Sequence, residues 1–305
     1  MKKLRKILPL LLCMSVVCLQ DASASDLFYI SSDNFAYFIV ENNGLMEMDL
    51  ETGEALVYNE YIDIPSIALA PDGDILINMR YTIIKTDLYE NTSTIFTIEN
   101  EIEYWIYHMK MFDGVLYVAT TDEKIYSMQP DGSDCVQIAE DAYLLDYVVL
   151  GMDLYYCDGT ALYWIDLQNE SAKAQIVVND IVDAIEIFGD TVYFTLGTDR
   201  VLCALESGGE YTPLPLQSIL EFVILPDGER VAAIMQGDLS LRVFELNTGE
   251  ECAVVAEDCF TVAVAADEKG FYFKVSQPAT DPNGFDVFLV YQVNEDYSST
   301  LIEEN

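Results

Sequence analysis

A pattern of about 39 residues recurs along most of this 305-residue chain and restricts the folds open to it. Its clearest copy is the stretch 112–138, FDGVLYVATTDEKIYSMQPDGSDCVQI, in which short apolar runs alternate with turn sequences. The turns that mark successive copies contain Asp, Asn and Gly, which tolerate the positive φ of tight hairpins. These turns fall at Asp33-Asn34, Asp72-Gly73, Asp113-Gly114, Gly151-Met152, Gly189-Asp190, Asp227-Gly228 and Lys269-Gly270.

Each copy of the repeat contains four short apolar segments, and few segments show the 3.6-residue period of a helix. Four short antiparallel strands per repeat predict an all-β fold, the β-propeller, with one four-stranded blade per copy. We count seven copies and expect seven blades, with six or eight as alternatives. The predicted units are 26–62, 63–102, 103–142, 143–180, 181–218, 219–258 and 259–305.

The N-terminus reads as a targeting segment. Lys2, Lys3, Arg5 and Lys6 precede an apolar run over residues 7–19, and Ala22-Ser23-Ala24 matches a cleavage site. We therefore predict a signal peptide over residues 1–24 and a single propeller domain over residues 25–305. The expected location is secreted or extracytoplasmic, at the cell surface or in the periplasm.

The charge of the chain is strongly negative. Its 14 Lys and Arg and 53 Asp and Glu give a formal net charge of −39, and removal of residues 1–24 makes it about −42. Phosphate binding needs clustered Lys and Arg, so we expect no nucleic-acid partner. Such a surface attracts cations and basic partners instead. After the leader, the sequence contains no stretch long and apolar enough for a membrane span.

Three segments carry a resemblance to a known family. GVLYVA at 114–119 is followed by KIYSMQPDGS at 124–133, and ALYWID stands at 161–166. These resemble the YWTD-type repeats of low-density lipoprotein receptors and of bacterial secreted propellers. The resemblance implies a domain that binds proteins or peptides without catalysis. The receptor propellers have six blades, and the seven copies counted here depart from that number.

Acidic residues recur at the start of three predicted innermost strands. Asp146, Asp183 and Glu221 each stand five or six residues before the turn of their repeat. We expect them to ring one mouth of the channel, where they would bind Ca²⁺, a cationic ligand or a basic peptide. The alternative is that a wet channel mouth simply tolerates acids. Further acids occupy the predicted connections between blades: Glu60, Glu99, Glu101, Glu103, Glu140, Asp141, Asp180, Glu257 and Asp258.

A second candidate metal site lies in an insertion in the last repeat, residues 277–286. Asp281, Asn283 and Asp286 offer oxygens at the spacing of the start of a calcium loop. The closing Glu of an EF-hand is missing, so an ordinary surface turn is the alternative. No cofactor is required by any motif, and Ca²⁺ is a candidate.

The motifs of common enzymes are missing from the sequence. His108 is the only histidine, there is no G-x-S-x-G, and five scattered cysteines follow the leader. Our leading hypothesis is a secreted, non-enzymatic and monomeric binding module, which presents an acidic loop face to a protein, peptide or glycan. A carboxylate-dependent glycan hydrolase or lyase, which would use Asp146, Asp183 and Glu221, is an alternative. An envelope assembly scaffold is another.

Overall fold

The computed structural model describes residues 28–30, 35–40, 44–49, 52, 55–58, 66–88, 91–98, 104–140, 145–169, 173–257, 260–267, 270–277, 287–294 and 296–301. The predicted signal peptide and the candidate calcium ligands Asp281, Asn283 and Asp286 lie outside these residues. Every regular element within them is a β-strand. Accordingly, the described residues include no helix of the length and apolarity that crossing a membrane requires.

The described strands form seven antiparallel sheets, each built from four strands that follow one another in the chain. We call each sheet a blade, number the blades in chain order, and letter their strands A to D from the first to the last. Blades 1 to 3 contain β1 (Phe28–Ile30), β2 (Phe35–Val40), β3 (Gly44–Asp49), β4 (Ala55–Tyr58), β5 (Ile67–Leu69), β6 (Ile75–Asn78), β7 (Thr82–Thr86), β8 (Thr92–Thr97), β9 (Ile106–Phe112), β10 (Val115–Thr120), β11 (Lys124–Met128) and β12 (Val136–Ala139). Blades 4 to 7 contain β13 (Asp146–Leu150), β14 (Asp153–Cys157), β15 (Leu162–Asp166), β16 (Gln175–Val178), β17 (Val182–Phe188), β18 (Thr191–Leu196), β19 (Val201–Glu206), β20 (Thr212–Pro213), β21 (Ile219–Ile224), β22 (Arg230–Met235), β23 (Leu241–Glu245), β24 (Glu251–Ala256), β25 (Phe260–Asp267), β26 (Gly270–Gln277), β27 (Val287–Val293) and β28 (Ser299–Leu301).

The blades are arranged around an axis lined by their A strands. Each A strand lies in contact with the A strand of the next blade, and β25 of blade 7 contacts β1 of blade 1. Among the described strands, none pairs with a sheet from the other end of the chain. The two ends of the ring therefore meet by packing of blade against blade. The predicted all-β propeller is confirmed.

The hydrophobic core lies between blades rather than within any one of them. One cluster joins Ala68 of blade 2 to Met109 of blade 3, and the next joins Tyr117 of blade 3 to Tyr147 of blade 4. Strand B is apolar on both faces because both faces are covered, and five of the six residues of β10 are buried. Seven aromatic residues on the B strands of blades 4, 5 and 7 are buried: Tyr155, Tyr156, Tyr193, Phe194, Phe271, Tyr272 and Phe273.

The connections sort onto two faces, because neighbouring strands of a blade run in opposite directions. We call the face with the D-to-A connections and B-to-C loops the top face. The face with the A-to-B and C-to-D turns is the bottom face. Asp113 and Gly114, which join β9 to β10 on the bottom face, have φ of 48° and 77°. Two successive positive φ values are those of the type I′ hairpin that their sequence predicts.

Candidate functional site

The structure places the three predicted mouth acids on the A strands of three successive blades. Asp146 is the first residue of β13, Asp183 the second of β17 and Glu221 the third of β21. Strand A begins at the top face, so all three lie toward that end of their strands. Each is partly buried.

Asp146 is held by a lysine of the preceding blade. Lys110 of β9 forms an ion pair with Oδ1 of Asp146, and its Nζ donates a second hydrogen bond to the carbonyl of Tyr147 at 3.3 Å. The backbone N–H of Tyr147 donates to the same Asp146 oxygen at 2.7 Å. The Lys110 side chain is only 7% exposed. This carboxylate therefore ties blade 4 to blade 3.

Asp183 is paired within its own blade. Nη2 of Arg200, in the B-to-C loop of blade 5, lies 2.9 Å from its Oδ2, and both side chains are about one-quarter exposed. Asp146 and Asp183 thus each have a cation of the chain beside them.

The described residues contain no group of three or more His, Cys, Asp or Glu side chains that could hold a metal ion. Asp146, Asp183 and Glu221 all belong to this searched part of the chain. The candidate calcium loop at Asp281, Asn283 and Asp286 does not. A Ca²⁺ site in that loop stays a prediction.

Two charged residues on the inner strands were missed by sequence reasoning. Lys110 pairs with Tyr117 across β9 and β10, and Glu186 pairs with Tyr193 across β17 and β18. In blade 4 the same position is filled by a valine, opposite Tyr155. Each charge stands three residues before the first residue of its A-to-B turn, where an apolar side chain would pack against the next blade. A charged residue three positions before the turn of its repeat was therefore the sequence signal that could have identified Lys110 and Glu186.

Glu186 lies between blades 5 and 6 and is 4% exposed. Its carboxyl group accepts a hydrogen bond from the backbone N–H of Ile224, on strand A of blade 6. Its Oε2 is buried and has no hydrogen-bond partner among the described residues. Burial raises the pKa of Glu186 well above its ordinary value. The Ile224 hydrogen bond and the charge of Lys110 oppose that rise, and Glu221 and Asp146 add to it.

We expect Glu186→Gln to change how stability depends on pH. The folded state holds this proton more tightly than the unfolded state, so the proton stabilises the fold at low pH. That stabilisation is lost as the pH rises above the ordinary Glu value of 4.5. Urea denaturation at several pH values should show the wild type losing stability relative to Glu186→Gln as the pH rises above 4.5. Glu206→Gln, an exposed acid of the same blade, is the control. A difference between wild type and Glu186→Gln that does not change with pH would refute the expectation.

Exposed aromatic side chains mark the top face at blades 2 and 3. Trp105 is 41% exposed, Tyr107 is 42% exposed and Tyr81 is 37% exposed. Trp105 immediately precedes β9 and Tyr107 is its second residue, at a β-bulge opposite Ala119 and Thr120. Backbone hydrogen bonds fix the surrounding loops: Ile106 N–H donates to the Arg80 carbonyl at 2.6 Å, beside Tyr81. We call Tyr81, Trp105 and Tyr107 the aromatic patch.

His108, the one histidine of the chain, adjoins this patch. Its ring meets that of Tyr107 edge-on, with the centroids 4.3 Å apart. The contact helps to fix the orientation of Tyr107 at the start of the inner strand.

An acidic loop borders the aromatic patch. The backbone N–H of Thr121 donates to the Trp105 carbonyl, and the Trp105 N–H donates to Oγ1 of Thr121, both at 2.9 Å. The next residues are Asp122 and Glu123. Burial alone would raise the pKa of Asp122, but hydrogen bonds from Lys124 and Thr120 lower it below its ordinary value. Glu123 is exposed at the loop tip.

Acidic residues are not confined to the top face. Of the predicted connection acids, Glu140, Asp180 and Glu257 lie within the described residues, and all three are exposed. Many bottom-face acids accept hydrogen bonds from turn residues, as Asp131 does from Ser133 at 2.9 Å. Many of the bottom-face carboxylates thus have a local structural role, because they stabilise Asx turns. The aromatic patch therefore distinguishes the top face better than its acids do.

Comparisons with known proteins bear on the fold. No protein-family model matches the chain, and no curated protein matches its sequence at a significant level. Among solved structures, the chain is similar to YCF48 bound to D1 peptide, with 10% identity and a TM-score of 0.64 over 92% of this chain and 96% of that one. Virginiamycin B lyase from Staphylococcus aureus is 13% identical, with a TM-score of 0.64 over 84% and 91%. A chain of a nidogen–laminin complex is 13% identical, with a TM-score of 0.51 over 72% and 92%.

At these identities the similarity shows the fold alone, and it defines the class of this protein as a β-propeller. The resemblance to YWTD-type repeats is thus supported as far as the propeller architecture. Membership of that family stays a prediction.

Proposed function

We propose that the protein is a secreted, non-enzymatic binding propeller whose top face binds a basic segment of a partner protein. Cleavage after residue 24 would deliver it outside the cytoplasm. Two of the structures similar in fold are complexes, YCF48 with a D1 peptide and nidogen with laminin. These similarities are consistent with a binding role and leave the partner open.

The observation that carries the proposal is the exposed aromatic patch beside an acidic loop. Large aromatic side chains are enriched at interfaces and often dominate their binding energy. Trp105 and Tyr107 both lie at the top end of the inner strand of blade 3, whereas Ile176, the most exposed large apolar residue in the described part of the chain, lies on an outer strand. An aromatic pair on a loop face fits a docking point better than single rim residues do.

The chemistry of the patch points to a basic partner. A Lys or Arg side chain over an aromatic face gains about 0.5–2 kcal/mol, and Trp is the best ring for this contact. Glu123 stands next to the patch, and the chain as a whole has a formal net charge of −39. Charge complementarity of this kind speeds association and makes it sensitive to salt. A neutral glycan would gain no charge attraction from these acids, although its hydroxyls could donate hydrogen bonds to them.

We expect Trp105→Ala/Tyr107→Ala to weaken partner binding strongly. The test uses residues 25–305 as an affinity bait against the cell-surface and secreted fraction of the producing cells, at low and high salt. The expected result is a polypeptide with a Lys/Arg-rich segment that binds the wild type, is released by salt, and binds the double variant at least about tenfold more weakly.

Ile176→Ala, on an exposed rim residue, is the matched control and should bind as well as the wild type. Binding that survives in Trp105→Ala/Tyr107→Ala contradicts the proposed site. A captured ligand that is indifferent to salt, such as a neutral glycan, contradicts the proposed chemistry.

A further inference from the structure

The B-to-C loops of the top face turn through residues with positive φ. In blades 4, 5 and 6 these loops contain a glycine in that conformation, Gly159, Gly197 and Gly237. The loop of blade 3 contains no glycine, and its residue with positive φ is Glu123, at 63°. The backbone N–H of Glu123 donates to the Thr120 carbonyl at 3.0 Å and closes the turn. A Glu in this conformation destabilises the loop relative to a Gly.

Three further residues with side chains have positive φ in B-to-C loops, Arg80, Arg200 and Leu239. The backbone N–H of Arg80 donates to Oδ1 of Asn78 at 2.8 Å. Arg200 forms the ion pair with Asp183, and Leu239 is partly buried. Contacts of this kind help to hold a residue in a strained conformation.

The Glu123 carboxylate has no such contact. The neighbouring acid, Asp122, accepts a hydrogen bond from Oγ1 of Thr120 at 2.5 Å and pairs with Lys124. Glu123 is exposed, and the hydrogen bonds and ion pairs among the described residues do not include its carboxylate. The charge of Asp122 is therefore used within the loop, whereas that of Glu123 is available to a partner.

The loop that carries Glu123 is fixed to the aromatic patch. Thr121, two residues before Glu123, forms two hydrogen bonds with the backbone of Trp105, both at 2.9 Å. Tyr107 lies at the β-bulge opposite the end of the same hairpin. Trp105 and Glu123 are both exposed, so a partner that docks on the top face can reach the two side chains together.

We propose that Glu123 is the specificity-determining residue of the aromatic patch and that, with Trp105, it holds one arginine side chain of the partner. This inference rests on the proposed function and assigns its basic contact. A planar guanidinium stacks on an indole ring through its face, and its edge donates paired hydrogen bonds to a carboxylate. A lysine ammonium has neither the planar face nor the paired donors. Glycine would suit the turn better than Glu123 does, but it supplies no carboxylate.

Glu123→Gly separates stability from binding. We expect this variant to melt about 2 °C higher than the wild type, because glycine adopts positive φ without strain, and to bind arginine more weakly. Asp134→Gly is the matched control, since Asp134 is an exposed acid of the same blade, with φ of 53°, on the bottom face. It removes the same charge and should leave arginine binding unchanged. Glu123→Gln removes the charge of Glu123 but keeps the shape of its side chain.

The fluorescence of Trp105 reports binding at this site. Trp164 is the only other tryptophan, so each variant is made in a Trp164→Phe background. The probe is a capped five-residue peptide of alternating glycine and arginine, and its controls carry lysine or citrulline in place of arginine. We expect the arginine peptide to bind more tightly than the lysine peptide, and the uncharged citrulline peptide not to bind. Both Glu123 variants should bind the arginine peptide about fivefold more weakly, as expected for loss of an exposed charge pair.

The inference is overturned if the Glu123 variants bind the arginine peptide as well as Asp134→Gly does, or if the lysine peptide binds equally tightly. Tyr107→Ala, in the same background, tests the proposed function separately. If Tyr107→Ala weakens binding and the Glu123 variants do not, the patch is the binding site but Glu123 does not determine its specificity. If no peptide changes the fluorescence of Trp105, the proposed basic partner and this inference both fail.

Discussion

Gly249→Ala should destabilise the protein by about 3 kcal/mol, because both its conformation and its surroundings exclude a side chain. Gly249 has φ of +69°, and a Cβ at this position would lie 2.2 Å from the carbonyl oxygen of Pro215. Gly249 lies in the C-to-D turn of blade 6, whereas Pro215 follows strand D of blade 5. The backbones of the two blades are therefore in direct contact at this point. A Cβ on Gly249 would fit only if the two blades moved apart. Chemical denaturation in urea measures the loss.

Gly208→Ala is the matched control for this prediction. Gly208 has φ of +71° in the corresponding turn of blade 5, but a Cβ there would meet nothing within 4 Å. It should show only the cost of the left-handed conformation, about 1 kcal/mol. Gly132→Ala repeats the test between blades 2 and 3, because its Cβ would lie 2.2 Å from the Ile95 carbonyl oxygen. Equal losses for Gly249→Ala and Gly208→Ala would show that the turns do not pack as described.

Lys110→Met should also cost about 3 kcal/mol of folding free energy, because it removes the buried cation that bridges blades 3 and 4. The side chains of Lys110 and Asp146 are 7% and 25% exposed, so the carboxylate left behind is only partly rehydrated. The free energy of unfolding from urea denaturation gives the size of the effect.

A double-mutant cycle with Asp146→Asn separates the ion pair from packing, since coupled residues are not additive. Lys124→Met is the matched control. Lys124 pairs with Asp122 at 2.5 Å but is 36% exposed, and exposed pairs contribute about 1 kcal/mol or less. Additive losses for Lys110→Met and Asp146→Asn would contradict the bridge between blades.

Much of the fold could be predicted from the spacing of turns. Asp113-Gly114 needs positive φ, and apolar strands at a fixed spacing from such turns can be buried only by packing repeat against repeat. The burial of Tyr155 and Tyr193 followed from the same argument. This reasoning succeeds because each blade is a local structure, made of four consecutive strands.

The site was harder to predict because its contacts are not local. Asp146 was recognised as an acid at the start of an inner strand, but its partner Lys110 is 36 residues away, in another blade. The burial of Glu186 depends on the strand register, since a shift by one residue turns a side chain to the other face. The exposure of Trp105 could not be read from a sequence in which most aromatic residues are core.

Photo-crosslinking gives the most direct test that the top face is the binding surface. Trp105, Met152 and Ile176, which lie on the top face, the bottom face and the outer rim, are replaced one at a time by p-benzoylphenylalanine. We predict that the captured partner crosslinks from position 105, within its Lys/Arg-rich segment, and not from the other two positions. A partner that crosslinks from position 152 or 176 and not from 105 would contradict a top-face binding propeller.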